Sequence, residues 1–451
     1  MADLGRLTAR QVLALVTDDF TELPAPIREY PPDGPLGWAG YDTSRARAAE
    51  RTGEQESVVC GTGHVGGVRA VLIAFEFGFL GGSLGQRTGD RLEAAYVHAR
   101  EHRLPLVPLV ATGGSRMQEG MLALTQLQRV ARQSALLRAA GLPQVAVLRD
   151  PTTGGGWATL GAGADVVLAL PGAQVGFGGS RVRPPDADPA AYTAEAQVAA
   201  GSADAVVPPG ELRGTLGLWL RLLTRPSSLA VPPPGALPAP DLPHGDNLPG
   251  TGWDAVQRAR AAGRPRARRY LDACFTRRTA LTGDRCGGTD DGMLCGFGEH
   301  EGTGTTVAYA AQTGTATRPA GYRTAARLVR LADRLGIPVL TLVDTPGAAN
   351  DAEAERQGVG AAIADLFGAV AAARTPVTSL LIGEGGSGGA LALAAPGNTW
   401  ATPDSYFSVI APELAAAILK RPPEQAPATA EQLRLRPQDL VELGVVRGVV
   451  S

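Results

Sequence analysis

One pattern of landmarks occurs twice in this sequence, and it constrains the fold more than any other feature. Arg103-Leu104-Pro105-Leu106-Val107 returns as Gly336-Ile337-Pro338-Val339-Leu340, a displacement of 233 from Pro105 to Pro338. Gly141-Leu142-Pro143 returns as Arg374-Thr375-Pro376, and Thr153-Gly154-Gly155-Gly156 falls opposite Gly386-Ser387-Gly388-Gly389, both at the same displacement. Three separated landmarks at one offset indicate an internal duplication. The 451 residues are enough to build one unit twice, each copy with its own core. Between the copies, Leu229–Gly252 holds Pro232-Pro233-Pro234, Pro238, Pro240 and Pro243. So many prolines cannot continue a helix or a central strand, so the segment reads as an extended linker. The organisation expected is an N-terminal extension (1–56), a first domain (57–228), a linker (229–252) and a second domain (253–451).

Each copy reads as alternating strands and helices. Asp90 to Ala99 is amphipathic at helical spacing, and a Pro-opened apolar strand follows from Pro105 to Ala111. After Thr112-Gly113-Gly114 a further helix is expected from about Arg116 to Ala140. The next strand, Val145-Ala146-Val147-Leu148, is expected to end at Asp150-Pro151. Strands that are apolar throughout and alternate with helices predict a largely buried sheet of the α/β class.

Composition closes several other routes. The 42 basic and 44 acidic residues give a net charge of −2, without the basic excess of a nucleic-acid binder. The 59 glycines and 35 prolines follow no period, so a collagen-like chain is excluded. Lys420 is the only lysine, which leaves Schiff-base or Walker-type lysine chemistry a single candidate. Cys60, Cys274, Cys286 and Cys295 form no CxxC pair, so no zinc ribbon or thioredoxin motif is encoded. Cys286 and Cys295 read as buried or partly buried thiols, and no metal is expected. The start, Met1-Ala2-Asp3-Leu4-Gly5-Arg6, has no apolar run behind a basic cap. No uncharged apolar stretch nears the ~18 residues of a membrane span. A soluble, cytoplasmic protein is expected.

The chemistry concentrates where strands end in glycines. Gly113-Gly114 and Gly154-Gly155-Gly156 mark the first copy; Asp344-Thr345-Pro346-Gly347 and Gly383 to Ala390 mark the second. Glycine lets the backbone approach a ligand and adopt positive φ, so several N–H groups can converge on a phosphate or an oxyanion. Such turns also occur for packing alone, but two pairs repeated in register argue for a site. No G-x-G-x-x-G fingerprint and no Walker loop is present. The five histidines fall outside every glycine turn, and Ser387 has no histidine motif placed to activate it. Glu119 and Glu384 are the acids nearest the turns, as acid/base groups or as hydrogen-bond partners of the turns.

These residues are similar to a known family. Phe79-Leu80-Gly81-Gly82-Ser83-Leu84-Gly85, Gly113 to Glu119, Asp150 to Gly155 and Gly176 to Val182 resemble the β subunit of the bacterial acetyl-CoA carboxylase carboxyltransferase. Trp253 to Arg260, Tyr322-Arg323, Asp344 to Ala348, Gly383 to Ala390 and Tyr406 to Glu413 resemble its α subunit. The resemblance runs from about residue 57 to 425 and describes a β–α fusion. It implies two tandem crotonase-like domains, each a spiral of ββα units. It also implies transfer of CO2 from carboxybiotin, on a separate carrier protein, to the α-carbon of an acyl-CoA such as acetyl-CoA.

On that resemblance, N–H groups of Gly113, Gly114, Gly154 and Gly155 hold the thioester enolate. Those of Gly388, Gly389 and Ala390, with Gly347 and Ala348, hold the ureido oxygen of biotin. Gly386, Ser387, Arg116, Gly178 and Gly179 are further binding residues. Implied partners are a biotin carboxyl carrier protein and a biotin carboxylase, with no nucleic acid or membrane. A homodimer is implied as well, pairing the N-half of one protomer with the C-half of another.

The sequence also departs from the family. Residues 1–56 carry no cysteine, so the β subunit's four-Cys ribbon is missing. The stretch Gln312 to Thr317 is short, without the family's basic loop, and Ala348-Ala349-Asn350-Asp351 replaces a Tyr-Pro-Gly. Trp157 stands where a small or β-branched residue is usual, either narrowing the acyl pocket or filling core. These departures admit a second reading, a biotin-independent decarboxylase of a malonyl-type thioester using the same enolate site. A thioester hydratase or isomerase and an inactive scaffold fit the turns less well.

Overall fold

The computed structural model describes residues 6–238 and 247–451. Pro240, Pro243 and His244 lie outside the described residues, as do Met1 to Gly5. The chain is a mixed α/β protein forming two compact units, Met1–Thr224 and Arg225–Ser451.

In the first unit the strands Val58–Val65 and Val68–Phe75 form an antiparallel pair, and the helix Gln86–Glu101 follows. Parallel strands Leu106–Thr112, Val145–Thr153 and Val166–Ala169 then extend the sheet. The second unit repeats the plan. Met293–His300 pairs antiparallel with Thr306–Gln312, the helix Pro319–Leu335 follows, and Val339–Thr345, Val377–Gly386 and Thr399–Ala401 add in parallel. The displacement of 233 survives folding: it separates Gln86 from Pro319 at the helix starts, and Leu106–Thr112 from Val339–Thr345 along the whole strand. Each unit is thus a ββα repeat followed by parallel βα turns.

The central strands are buried on both faces, as their unbroken apolar runs predict. Val71, Ile73 and Val110 pack with Leu92 and Tyr96 of the following helix in the first unit. Leu340, Leu342, Leu380 and Ile382 anchor the core of the second.

Four local expectations need correcting. The helix expected over Arg116–Ala140 is broken into Met117–Glu119, Gly120–Leu124 and Gln126–Ala139; the first break lies at Gly120, which takes a positive φ of 50°, and the second at Thr125. The strand opening at Val145 does not end at Asp150-Pro151; it continues to Thr153, where Thr152 and Thr153 pair with Val175 and Gly176. Cys286 is exposed rather than buried, while Cys295 sits inside a strand. The Pro-rich segment is not a free tether over its described part. Val231 is buried in the core of the second unit, its carbonyl accepts the Thr378 hydroxyl at 2.7 Å, and Leu237 N–H reaches the Tyr270 hydroxyl at 3.2 Å.

The N-terminal extension belongs to the first compact unit. Arg149 is buried and donates to the carbonyl of Phe75 at 2.8 Å and to that of Leu7. Glu76 accepts the Ala9 N–H at 2.8 Å, at the start of the helix Ala9–Val16. No helix among the described residues is long and apolar enough to cross a membrane.

Candidate active site

In the first unit three glycine turns meet where the parallel strands end. A Cβ on Gly154 would lie 3.2 Å from the Gly114 Cα, and one on Gly82 would lie 2.2 Å from the Ala111 carbonyl oxygen. Only bare backbone fits at these approaches. Not every N–H here faces open space, and two expected donors are engaged within the fold. The Gly113 N–H donates to the Gly81 carbonyl at 2.8 Å, and the Gly154 N–H to the Phe177 carbonyl at 3.1 Å. The Gly114 N–H meets only the Thr112 hydroxyl, at 3.1 Å. Gly155 follows Gly154 in the short helical turn Gly154–Gly156, where the first N–H groups have no intrahelical acceptor. Gly155 is therefore the unengaged donor of this turn, and Gly114 can serve a ligand by sharing or exchanging its bond to the Thr112 hydroxyl. Gly179 lies alongside, its Cβ position 3.7 Å from the Thr153 hydroxyl, and the Gly178 carbonyl is tied to Arg183.

Arg116 does not serve as a binding side chain. It is 1% exposed and donates to both oxygens of Glu56, to the Ser83 carbonyl at 2.7 Å and to the Tyr41 hydroxyl at 3.2 Å. The reason is charge: a guanidinium taken out of water needs a carboxylate partner, and Glu56 supplies it. Glu119 is buried beside it, accepting the Tyr41 hydroxyl at 2.6 Å and the Gln86 N–H at 2.6 Å. Together these groups tie the turn at 81–85 to the turn at 113–116. Trp157 packs with Leu148, Val167 and Ala173, so it fills core.

The second unit builds the matching turns. Asp351 caps its own short helix, and the Asp344–Ala348 loop meets the 386–390 loop through glycines. A Cβ on Gly386 would lie 2.0 Å from the Pro346 carbonyl oxygen, and one on Gly389 would lie 2.5 Å from the Ala348 nitrogen. Ser387 opens the helix Ser387–Leu391 at φ +58°, the conformation of its counterpart Gly154 at φ +63°. Ser387, Gly388 and Gly389 carry the N–H groups without an intrahelical acceptor, and Ala390 follows, fully buried. A Cβ on Gly388 would meet nothing within 4 Å.

Beneath these loops lies a buried ion cluster. Asp344, fully buried, accepts Arg264 at 2.9 and 3.0 Å, Arg266 at 3.2 Å and the Glu384 N–H at 3.2 Å. Glu384 itself receives Arg260 and the Tyr406 hydroxyl, each at 2.8 Å. Neither Glu119 nor Glu384 is left as a free acid/base group. Of the described histidines, His98 and His102 stack on one helix and His64 pairs with Asp19, away from the turns. Among the described residues no group of three or more His, Cys, Asp or Glu is placed to hold a metal ion. Tyr41, Glu56, Arg264 and Gln312 were not singled out by the sequence as site supports. They sit far along the chain from the turns they hold, and no local motif marks them.

Comparison with known proteins decides the family. Residues 38–201 match the carboxyl transferase domain family, and residues 247–451 match the acetyl co-enzyme A carboxylase carboxyltransferase-like family. The acetyl-coenzyme A carboxylase carboxyl transferase subunits beta/alpha of Salinispora arenicola is 40% identical over 99% of this chain and 82% of its own length. The chain belongs to the acetyl-CoA carboxylase carboxyltransferase family. The probable biotin-dependent acyl-coenzyme A carboxylase beta3 subunit of Mycobacterium bovis is 35% identical to this carboxyltransferase, over 91% of this chain and 83% of its own. Among solved structures, the transcarboxylase 12S has the same fold, with a TM-score of 0.78 at 20% identity, covering 99% of this chain and 87% of that one. A single-chain, multi-domain long-chain acyl-CoA carboxylase gives 0.74 at 21%, covering 99% and 46%. The carboxyltransferase fold is thus the crotonase-like one in both units.

Proposed function

We propose that this carboxyltransferase moves CO2 from carboxybiotin on a separate carrier protein to the α-carbon of an acyl-CoA such as acetyl-CoA. The observation that carries the reading is the pair of glycine-built donor sets at equivalent places in a duplicated fold, in a chain 40% identical to a β/α carboxyltransferase over 99% of its length. One set suits each partner of a two-substrate transfer. In the first unit, Gly114 and Gly155 would hold the thioester oxygen as negative charge develops on it. Gly178 and Gly179 flank them.

In the second unit the bare backbone at Gly347 and Gly388 leaves room for a ring, with Ala348 and Ser387 beside it, while Gly386 lets the two loops pack together. The N–H groups of Gly388 and Gly389 are neutral donors suited to a ureido oxygen, and Ala390 follows them inside the helical turn. Carboxybiotin, when bound there, supplies the CO2. The chain's own groups bind, orient and stabilise charge; among the described residues the acids nearest the turns, Glu119 and Glu384, are engaged and not free as general bases. The first domain is thus assigned to acyl-CoA and the second to biotin. A biotin carboxyl carrier protein and a biotin carboxylase are the partners this chemistry requires. We further assign a homodimer and a cytoplasmic location.

The test is direct. Purified chain with malonyl-CoA releases acetyl-CoA only when free biotin is added. Release at the same rate without biotin would establish the decarboxylase instead.

A further inference from the structure

The Gly389 carbonyl is held in an unusual way. It lies within the short helix Ser387–Leu391, yet the Leu393 N–H that could cap it donates to Ala390 instead, at 3.2 Å. Two side chains take its place. Gln312 Nε2 and the Tyr322 hydroxyl each donate to the Gly389 oxygen, both at 3.1 Å. Both side chains are fully buried, and both come from elements that precede the loop by more than 60 residues. Burial pushes the Tyr322 phenol well above its usual range, so it stays protonated and keeps donating.

Within a helical turn all C=O groups point to one end and all N–H groups to the other, so anchoring one carbonyl orients the whole turn. Fixing the Gly389 carbonyl from two sides therefore fixes the short helix Ser387–Leu391 and the direction of its leading N–H groups. We propose that Tyr322 and Gln312 are positioning residues that set this turn so that the Gly388 and Gly389 N–H groups are aimed for charge stabilisation on the biotin side. The inference deepens the proposed function and rests on that assignment of the second unit.

The duplication supplies an internal control. In register, Ala311 pairs through Ala308–Val339 as Ala74 pairs through Val71–Leu106, which places Phe75 where the second unit has Gln312. Gly89 stands at the helix position of Tyr322, three residues after each helix start. The first unit forms its own glycine turn without either donor. The fold alone does not demand them, so their presence in the second unit points to the turn's task.

The test uses the full chain, free biotin and malonyl-CoA. Tyr322→Phe removes one hydroxyl; Gln312→Met removes the second donor at similar volume. Losing one oxyanion donor outright costs ~10²–10³ in rate, and misaligning one while keeping it is expected to cost about tenfold. Each variant is expected to lower kcat with biotin by that factor while the KM for malonyl-CoA stays unchanged. Tyr309→Phe is the control, since its hydroxyl also donates to a backbone carbonyl, that of Thr279, at 3.3 Å. It is expected to shift the thermal midpoint comparably and leave kcat alone. Wild-type kcat in Tyr322→Phe, or an equal loss in Tyr309→Phe, overturns the inference while the proposed function stands. A wild-type chain with no biotin-dependent turnover overturns both.

Discussion

Single residues show how far apart polar role and polar appearance can be. Arg116 sits in a motif beside a glycine pair and reads as a ligand contact; the structure buries it against Glu56 as a brace. Burial alone would raise the Glu56 carboxyl, but the Arg116 charge and its hydrogen bonds hold it well below the ordinary 4.5. A carboxyl with a depressed folded value stabilises the fold above its unfolded pKa and loses that contribution as pH falls through the window below about 4.5. Glu56→Gln leaves the buried guanidinium with only the longer Glu119 carboxylate contact at 3.6 Å, a loss of up to roughly 3–5 kcal/mol. Urea unfolding at pH 7 is expected to show that loss, and the difference between wild type and variant is expected to shrink between pH 5 and about pH 2 as the wild-type carboxyl protonates. A constant difference across that range would assign the loss to shape rather than charge. Ser387 teaches the converse: a residue whose type gives no hint of it adopts a left-handed conformation because its place in the duplicated turn requires one.

At the scale of elements, the sequence made the strands, the helices and their order legible, because unbroken apolar runs and glycine-ended strands are local signals. Pro105 and Pro338 open matching strands as their positions predict. The supports of the turns were not legible, because they are contacts between distant elements. Tyr41 reaches Glu119 across 78 residues, and Arg264 reaches Asp344 across 80. For the same reason the engaged N–H groups of Gly113 and Gly154 could not be told from the free ones until their acceptors, Gly81 and Phe177, were in place.

The Arg264–Asp344 pair joins the C-terminal ends of two neighbouring strands, since Arg264 also donates to the Ile382 carbonyl at 2.8 Å. Asp344→Asn keeps the shape and removes the charge, and is expected to cost about 3–5 kcal/mol by leaving Arg264 buried without its partner. Denaturant titration checks it. A cost under about 1 kcal/mol, the range of a surface pair, would show that the cluster is solvated.

For the whole molecule, the duplication is the organising fact. It was visible as three landmarks 233 residues apart, and it is visible again as matching helices, matching strands and matching glycine turns. Two similar scaffolds carry different groups at their turns, which on the proposed function lets one chain present separate donor sets to two substrates. The claim that these main-chain donors act is tested most directly at Gly388. There a methyl group would enter open space without meeting the protein, whereas at Gly389 it would collide with Ala348. The decisive measurement is biotin-dependent release of acetyl-CoA from malonyl-CoA by Gly388→Ala. The account predicts normal folding, an unchanged KM for malonyl-CoA and a kcat lower by ~10²–10³, the range seen when an oxyanion donor is lost. Wild-type turnover in that variant would contradict it.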